Sequence, residues 1–412
     1  MRYLIDIGHP AHVHLFKHFA HEMSSRGHRV FFTCRSREFV TELLEHEGFA
    51  YTCLGRNYTT TAGKLWGLFR FTSLLFRVSR QFKPDLLLSH SSMYAAFTAF
   101  LLRRPHISFE DTFNFEQIRL YQPFTKAILT ATYDHPLKSN KVVRYPGYHE
   151  LAYLHPNRFT PDPSVLSELF LQSTSPKNSQ SKLESASPSE EWVCEGGTTE
   201  AASRKLTFVA PPGNDYCSSI NDCVCDPAQA GEAASTPNKF IILRFVSWSA
   251  SHDIGHNGMT LGNKIAAVNS FSAHAKVFIS AESPLPPLLE PYRFPLPPHR
   301  MHHAIAFASL VFGESATMAS EAAMLGVPAI YLDNTGRLYT REQEEKYGLV
   351  FNYTESEQDQ QRAIAKGVEL LTTPGIKEKW HQKRARMLGE KIDVTEWLVD
   401  FVEEFYNKGR PG

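Results

Sequence analysis

The chain has 412 residues, 43 Lys+Arg against 43 Asp+Glu, and a formal net charge of zero with histidine neutral. One hydrophobic core rarely grows past roughly 250–300 residues, so the length predicts at least two domains, and 42% hydrophobic with 21% charged residues excludes wholesale disorder. Zero net charge argues against a bulk polyanion such as nucleic acid as partner, and six cysteines are too sparse for a disulfide scaffold.

The opening MRYLIDIGHP carries Asp6 in a short apolar run and ends in a Gly-His-Pro turn, a pattern unlike a signal peptide. No run reaches the roughly 18 apolar residues of a spanning helix, so the expectation is a cytoplasmic protein. Arg2–Ile7 reads as a strand, Ala11–Ser25 as a helix, Arg29–Thr33 as a strand and Arg37–His46 as a helix. A strand at Tyr51–Leu54, a helix at Lys64–Phe82, a strand at Asp85–Ser89, a helix at Tyr94–Leu102 and a strand at His106–Phe109 follow. Such alternation needs crossover connections and predicts a parallel, doubly wound sheet.

From about Ser173 to Asn238 the texture turns to Ser, Pro, Ala and Glu without apolar period, which predicts a disordered insert. It holds a short apolar patch, Leu206–Ala210, and Cys194, Cys217, Cys223 and Cys225, whose spacing fits no paired zinc motif. Alternation then restarts. Strands are predicted at Phe240–Phe245, Lys276–Ser280, Leu310–Phe312, Ala329–Leu332 and Gly348–Phe351. Helices are predicted at Asn263–Ser270, Met318–Leu325, Glu357–Leu371, Ile376–Leu388 and Thr395–Tyr406.

Five segments could carry chemistry. In GESATMASEAAMLGVPAI, Gly313 to Ile330, Ser315, Ala316 and Thr317 offer N–H groups and hydroxyls at the positive end of a helix, which suits a diphosphate. Glu321, one turn further in, could accept both hydroxyls of a ribose. The plainer reading makes Ser315 or Thr317 a cap and Glu321 a solvated acid. In GHPAHVH, His9 and His12 sit in the first strand-to-helix turn. A helical wheel sets His14, His18 and His21 opposite Leu15, Phe19 and Met23, away from the core. A near-neutral imidazole suits abstraction of a hydroxyl proton, which makes His12 and His14 candidate bases. The His14/His18 pair has no acidic third ligand, so no metal site is expected there.

Glu110 and Asp111 follow a strand's carboxyl end, where Asp111 could cap the next helix. Arg244 and Ser247 are candidate phosphate contacts in a loop that also holds His252. The run His252 to His256 superficially resembles a metal motif, but Gly255 and Gly258 oppose the helix that motif requires. Finally, Lys64–Lys83 carries Lys64, Arg70, Arg77, Arg80 and Lys83 without an acid, interleaved with aromatic and aliphatic residues. Both a buried crossover helix with snorkelling arginines and a helix lying in an anionic membrane interface fit that pattern.

Ser320-Glu321-Ala322 followed by Gly326 and Pro328 resembles the nucleotide-sugar site of GT-B-fold proteins, among them the lipid II-forming N-acetylglucosaminyltransferase and the UDP-N-acetylglucosamine 2-epimerases. HPAHVH, RFVSWSASHDIGH, PLPP and ATMASEA together resemble an uncharacterised prokaryotic GT-B-like family, a domain of unknown function, over residues 1–170 and 239–400. The resemblance implies two Rossmann-like parallel-sheet domains facing across a cleft: residues 1–170 on the acceptor side and 239–392 binding the nucleotide sugar. Residues 171–238 would be the insert, and 393–412 a helix packing back on the first domain.

It also implies a diphosphate at Ser315–Thr317, a ribose on Glu321, a base or substrate-binding histidine in the first loop, and the uracil base near His302-His303. In the epimerases a strand-end Glu takes part in catalysis, and Glu110 matches it in position. Those enzymes also carry an Asp in a G-D-T turn where this chain has Ser89-His90-Ser91-Ser92, which favours transfer over epimerisation. The expected function is a glycosyltransferase using a nucleotide-activated sugar, UDP being the expected nucleotide, in cell-surface glycan or glycolipid synthesis. It would need no cofactor beyond that substrate, and no metal, because no DxD-type motif falls in the cleft loops. A lipid-linked acceptor and peripheral contact with the inner membrane face through Lys64–Lys83 are further expectations. The alternatives are a UDP-sugar 2-epimerase and a non-catalytic nucleotide-sugar-binding protein.

Overall fold

The computed structural model describes residues 1–37, 39–56, 58, 60–172, 239–247 and 256–408. The expected disordered insert, with its four cysteines and the Leu206–Ala210 patch, lies outside the described residues, as does His252. Both sheets belong to one compact unit.

Each apolar run at a sequence turn becomes a strand, and each capped amphipathic run a helix. β1 (Arg2–Ile7) leads into α1 (Pro10–Ser25), whose N-cap is His9 and whose first residue is proline. β2 (Arg29–Ser36), α2 (Val40–His46) and β3 (Tyr51–Arg56) follow. α3 (Thr61–Phe82) is capped by Thr60 and stops at Lys83, whose φ is 56°. β4 (Leu86–His90), α4 (Met93–Leu101), β5 (His106–Phe109), α5 (Phe115–Tyr121), β6 (Ala127–Ala131) and β7 (Val142–Tyr145) complete the first sheet. Short α6 (Leu151–Leu154) and α7 (Ser164–Gln172) then lead away from it.

The second half runs β8 (Phe240–Phe245), α8 (Leu261–Ser272), β9 (Lys276–Ala281), α9 (Met301–Phe307), β10 (Leu310–Gly313), α10 (Ala316–Leu325), β11 (Ala329–Leu332), α11 (Leu338–Glu345) and β12 (Val350–Tyr353). It closes with α12 (Glu357–Thr372), α13 (Ile376–Leu388) and α14 (Val394–Lys408).

All pairings within both sheets are parallel. The seven-stranded sheet has the order β3-β2-β1-β4-β5-β6-β7, and the five-stranded sheet the order β12-β11-β10-β8-β9. Chain direction across each sheet therefore reverses once, between β1 and β4 and between β8 and β10. Helices on either side of such a reversal diverge and leave a crevice at the strand carboxyl ends, where ligands of open α/β sheets bind. The two-domain, GT-B-like reading is thus what the chain adopts. β6 and β7 go beyond the strands predicted from sequence, as do α5, α6, α7, α9 and α11.

α14 returns to the first half. Thr395 Oγ1 donates to the carbonyl of Ala152 (2.7 Å), Trp397 packs on Tyr145 with ring centres 4.9 Å apart, and Arg26 pairs with Glu403. Among the described residues no helix is long and apolar enough to cross a membrane.

Candidate functional site

The turn after β1 builds the first part of the site. His9 Nδ1 accepts the N–H of Ala11 (3.2 Å) and His12 Nδ1 accepts the N–H of Gly8 (3.3 Å). In the neutral rings each proton then sits on Nε2, which makes both histidines donors. Burial, then the charges of Arg37 and Arg244, pushes the His9 pKa down to about 3. Burial, then His90 and His9, holds His12 well below the ordinary range. Beneath the turn, Asp6 is fully buried and takes Arg35 through both oxygens (3.0 and 2.9 Å), with Thr33 and Ser92 donating to it as well. A Cβ on Gly8 would lie 2.9 Å from the Arg35 guanidinium, so the turn packs directly on this ion pair.

The centre of the site is a residue pair that the sequence reading passed over. Asp111 Oδ1 lies 2.9 Å from His90 Nε2, and its Oδ2 lies 3.0 Å from His149 Nδ1. His12 stacks on His90 with ring centres 4.4 Å apart. Burial works against charge on both partners, but the two imidazoles hold the Asp111 carboxyl well below its usual range. For His90, burial lowers the pKa while the Asp111 charge and hydrogen bond outweigh it, so the net shift is upward. Asp111 does not cap the next helix; Asn114 does, through Gln117 N.

Glu110 faces away from this cluster. Its carboxylate is 1% exposed and accepts from Ser91 Oγ, Tyr121 OH, Thr112 N, Thr112 Oγ1 and Phe113 N at 2.6–3.1 Å. It pins the loop that aims Asp111. The serines around His90 are likewise structural: Ser89 bonds His106 (2.8 Å), Ser91 bonds Glu110 and Ser92 bonds Asp6.

His14 is buried rather than solvated. α1 is covered on a second side by α6 and α14, so its supposed outer face meets protein. The His14 ring stands edge-on to His302 (4.5 Å) and lies against Tyr153 (5.4 Å), and its Nδ1 has no partner. Glu321 belongs to the same group: its Oε1 accepts from Tyr153 OH (2.8 Å) and His302 Nε2 (2.9 Å). The two sheets are thus tied together at the residue expected to hold a ribose. Glu150 lies between the two clusters, and burial, with the Asp111 and Glu321 charges adding to it, pushes its pKa up to about 8.

On the second sheet, Gly313 ends β10 with φ 146°, and a Cβ there would come 2.1 Å from the Arg244 carbonyl oxygen. Only glycine lets β10 pass β8 so closely before the chain turns into α10. Ser315 caps α10 through Met318 N, with Ala316 and Thr317 as its first two residues, so their N–H groups lie in the unpaired first turn. Arg244 is held by Ser280 (2.9 Å) and Glu282 (2.7 Å), and Ser247 also bonds Glu282. Arg337, at the start of α11, has its pKa raised: burial opposes, but Tyr331, Tyr339, Asp333 and Asp111 outweigh it. The Arg244 charge contributes to the lowering of the His9 pKa and the Asp111 charge to the raising of the Arg337 pKa, so the carboxyl ends of the two sheets influence each other electrostatically.

Among the described residues two clusters have metal-ligand chemistry, His90/Asp111/His149 and His256/Asp333/Glu355. In the second, Glu355 also accepts the N–H groups of Asn257 and Gly258, and Asp333 those of Thr335 and Gly336, so both carboxylates are tied to backbone. His303 accepts the N–H of Asp162 (3.0 Å).

Residues 1–181 match the family model described as "Protein of unknown function (DUF354)". No curated protein matches the sequence. Among solved structures, the chain is similar to the UDP-GlcNAc 2-epimerase of Neisseria meningitidis bound to UDP-GlcNAc, with TM-score 0.61, 13% identity, and 98% and 100% of the two chains covered. It is also similar to S. aureus MnaA in complex with UDP (TM-score 0.61, 11% identity, 100% and 99% covered). A third relative in fold is the spinosyn forosaminyltransferase SpnP (TM-score 0.55, 12% identity, 98% and 99% covered). These likenesses establish the GT-B-like fold.

Proposed function

We propose that the protein is a glycosyltransferase that uses a nucleotide-activated sugar, with UDP as the nucleotide. The observation that carries this reading is the Asp-held histidine pair at the carboxyl end of one sheet, together with a helix N-terminus and Arg244 at the carboxyl end of the other. His90, whose pKa the Asp111 charge raises, takes the proton of the acceptor hydroxyl, and Asp111 stabilises the imidazolium that forms. The diphosphate leaves from the first turn of α10, where Ser315, Ala316 and Thr317 present N–H groups, with Arg244 beside it. The Nε2–H groups of His9 and His12 are placed as further donors. His12 therefore serves as a donor stacked on the base, not as the base itself.

A second reading, a UDP-sugar 2-epimerase, has in its favour that the Neisseria meningitidis epimerase matches with a higher TM-score, 0.61, than the transferase SpnP, 0.55. Against it stands Glu110, whose carboxylate is consumed by five donors. Calorimetric titration with UDP, UDP-sugars and dTDP-sugars tests the shared premise, and absence of binding to all of them overturns it. Incubation with UDP-GlcNAc without acceptor separates the two readings: an unchanged sugar supports transfer, and a changed one supports epimerisation. The transfer reading needs no metal, so activity should survive EDTA. Loss restored by a divalent ion would overturn metal independence, and His90→Ala and His256→Ala variants would then show which of the two clusters holds it.

A further inference from the structure

The helix α3 offers a surface that the cleft does not use. Its solvent face carries Trp66, Phe69, Arg70, Ser73, Arg77 and Arg80, spaced three and four apart on a single side. Trp66 is 62% exposed and Phe69 64%, values seldom left to aromatic rings without a partner. α4 packs beside α3 and carries two further exposed apolar side chains at its end, Phe100 (61% exposed, with its ring against Phe124) and Leu101 (58%). No Asp or Glu occurs from Thr61 to Lys83, and no carboxylate among the described residues pairs with Arg70, Arg77 or Arg80. The arginines are therefore exposed on this face and do not snorkel from a buried helix.

A second feature lies at the same place. Between α3 and β3, the edge strand of the larger sheet, runs a groove of about 470 Å³. Its walls supply Leu54, Leu74 and Val78 as apolar surface and Arg70 and Arg77 as cations, and no acidic residue lines it. Arg70 donates to Tyr58 OH (3.1 Å), and none of the arginines meets a carboxylate among the described residues. Aromatic rings beside such arginines, with a groove lined by both apolar side chains and cations, match a surface that is itself apolar below and anionic at the rim.

We propose that the α3 face is a docking surface for an anionic phospholipid bilayer. Trp66 and Phe69 enter the interface, Arg77 and Arg80 lie on headgroup phosphates, and the Arg70/Arg77 groove takes up one anionic lipid. The charge and aromatic pattern requires no particular chemistry in the cleft, so this proposal stands or falls independently of glycosyl transfer.

The test is flotation of the full chain with vesicles of phosphatidylcholine alone and of phosphatidylcholine mixed with phosphatidylglycerol. Binding is expected only to the mixed vesicles and should weaken as salt rises. Each arginine near the surface is worth about 1 kcal/mol, so R77Q/R80Q should bind roughly 30-fold more weakly. W66A/F69A should also lose binding while both variants keep the wild-type circular dichroism and melting temperature. Equal binding to neutral vesicles, no binding to either kind, or preferential capture by a single-stranded oligonucleotide would overturn the proposal.

Discussion

Neighbouring carboxylates at the end of β5 do opposite work. Glu110 is sealed by donors and holds the loop, while Asp111 holds two imidazoles. Asp111→Asn should cut transfer by about 10²–10⁴-fold while leaving UDP affinity nearly unchanged. Because the Asp111 charge raises the His90 pKa, the same variant should shift the acid limb of the kcat/KM profile to lower pH; a limb that stays in place would remove His90 as base. Glu150 makes a separate prediction. Its pKa lies near 8 when folded, against an ordinary value of 4.5, so between those values the folded state holds a proton that the unfolded state has lost. Stability therefore falls as pH rises across that window, by at most roughly 1.4 kcal/mol per pH unit. Glu150→Gln should flatten the decline, measured by urea unfolding from pH 5 to 8.

At the scale of elements, the turns from strand to helix decide where chemistry sits. Gly313→Ala would place a methyl against the Arg244 carbonyl and strain a backbone at φ 146°, which alone costs about 1–3 kcal/mol. The variant should show a lowered melting temperature and weakened nucleotide binding, whereas Gly262→Ala, in α8 with open space around its Cβ, should disturb neither.

These turns were also the most legible parts of the sequence. Apolar runs such as Leu86–Ser89 and Phe240–Phe245 announce buried parallel strands, and Ser315 before ATMASEAAML announces a capped helix. His14 was misread because a helical wheel assumes one covered face, and α1 has two. His90 was missed because the serines around it drew attention only as a missing carboxylate. Side chains alternate along an extended chain, so Phe109, Glu110 and Asp111 could not all face the site; which of the two acids did so depends on Tyr121 and Ser91, which only the fold brings near.

For the whole molecule, Glu321 is one of the residues that join the two halves, through Tyr153, and the proposed nucleotide would set its ribose on the same carboxylate. Both uses draw on one carboxylate, so a nucleotide must displace Tyr153 or share Glu321 with it. Tyr153→Phe should lower stability by about 1–3 kcal/mol in urea and at the same time tighten UDP binding. Loss of both would show that Glu321 serves only to join the halves.

The return of α14 has a consequence for how the chain is made. Trp397 covers Tyr145, and Thr395 satisfies the Ala152 carbonyl, so residues that close the first sheet are completed by residues near the end of the chain. During synthesis the first sheet can assemble as soon as β7 emerges, but its flank stays bare until more than two hundred further residues, insert included, have been translated. The nascent first half is then a partner in waiting. A truncation after residue 172 is expected to appear in the aggregated fraction, and a peptide spanning residues 393–408 added in trans should return part of it to solution.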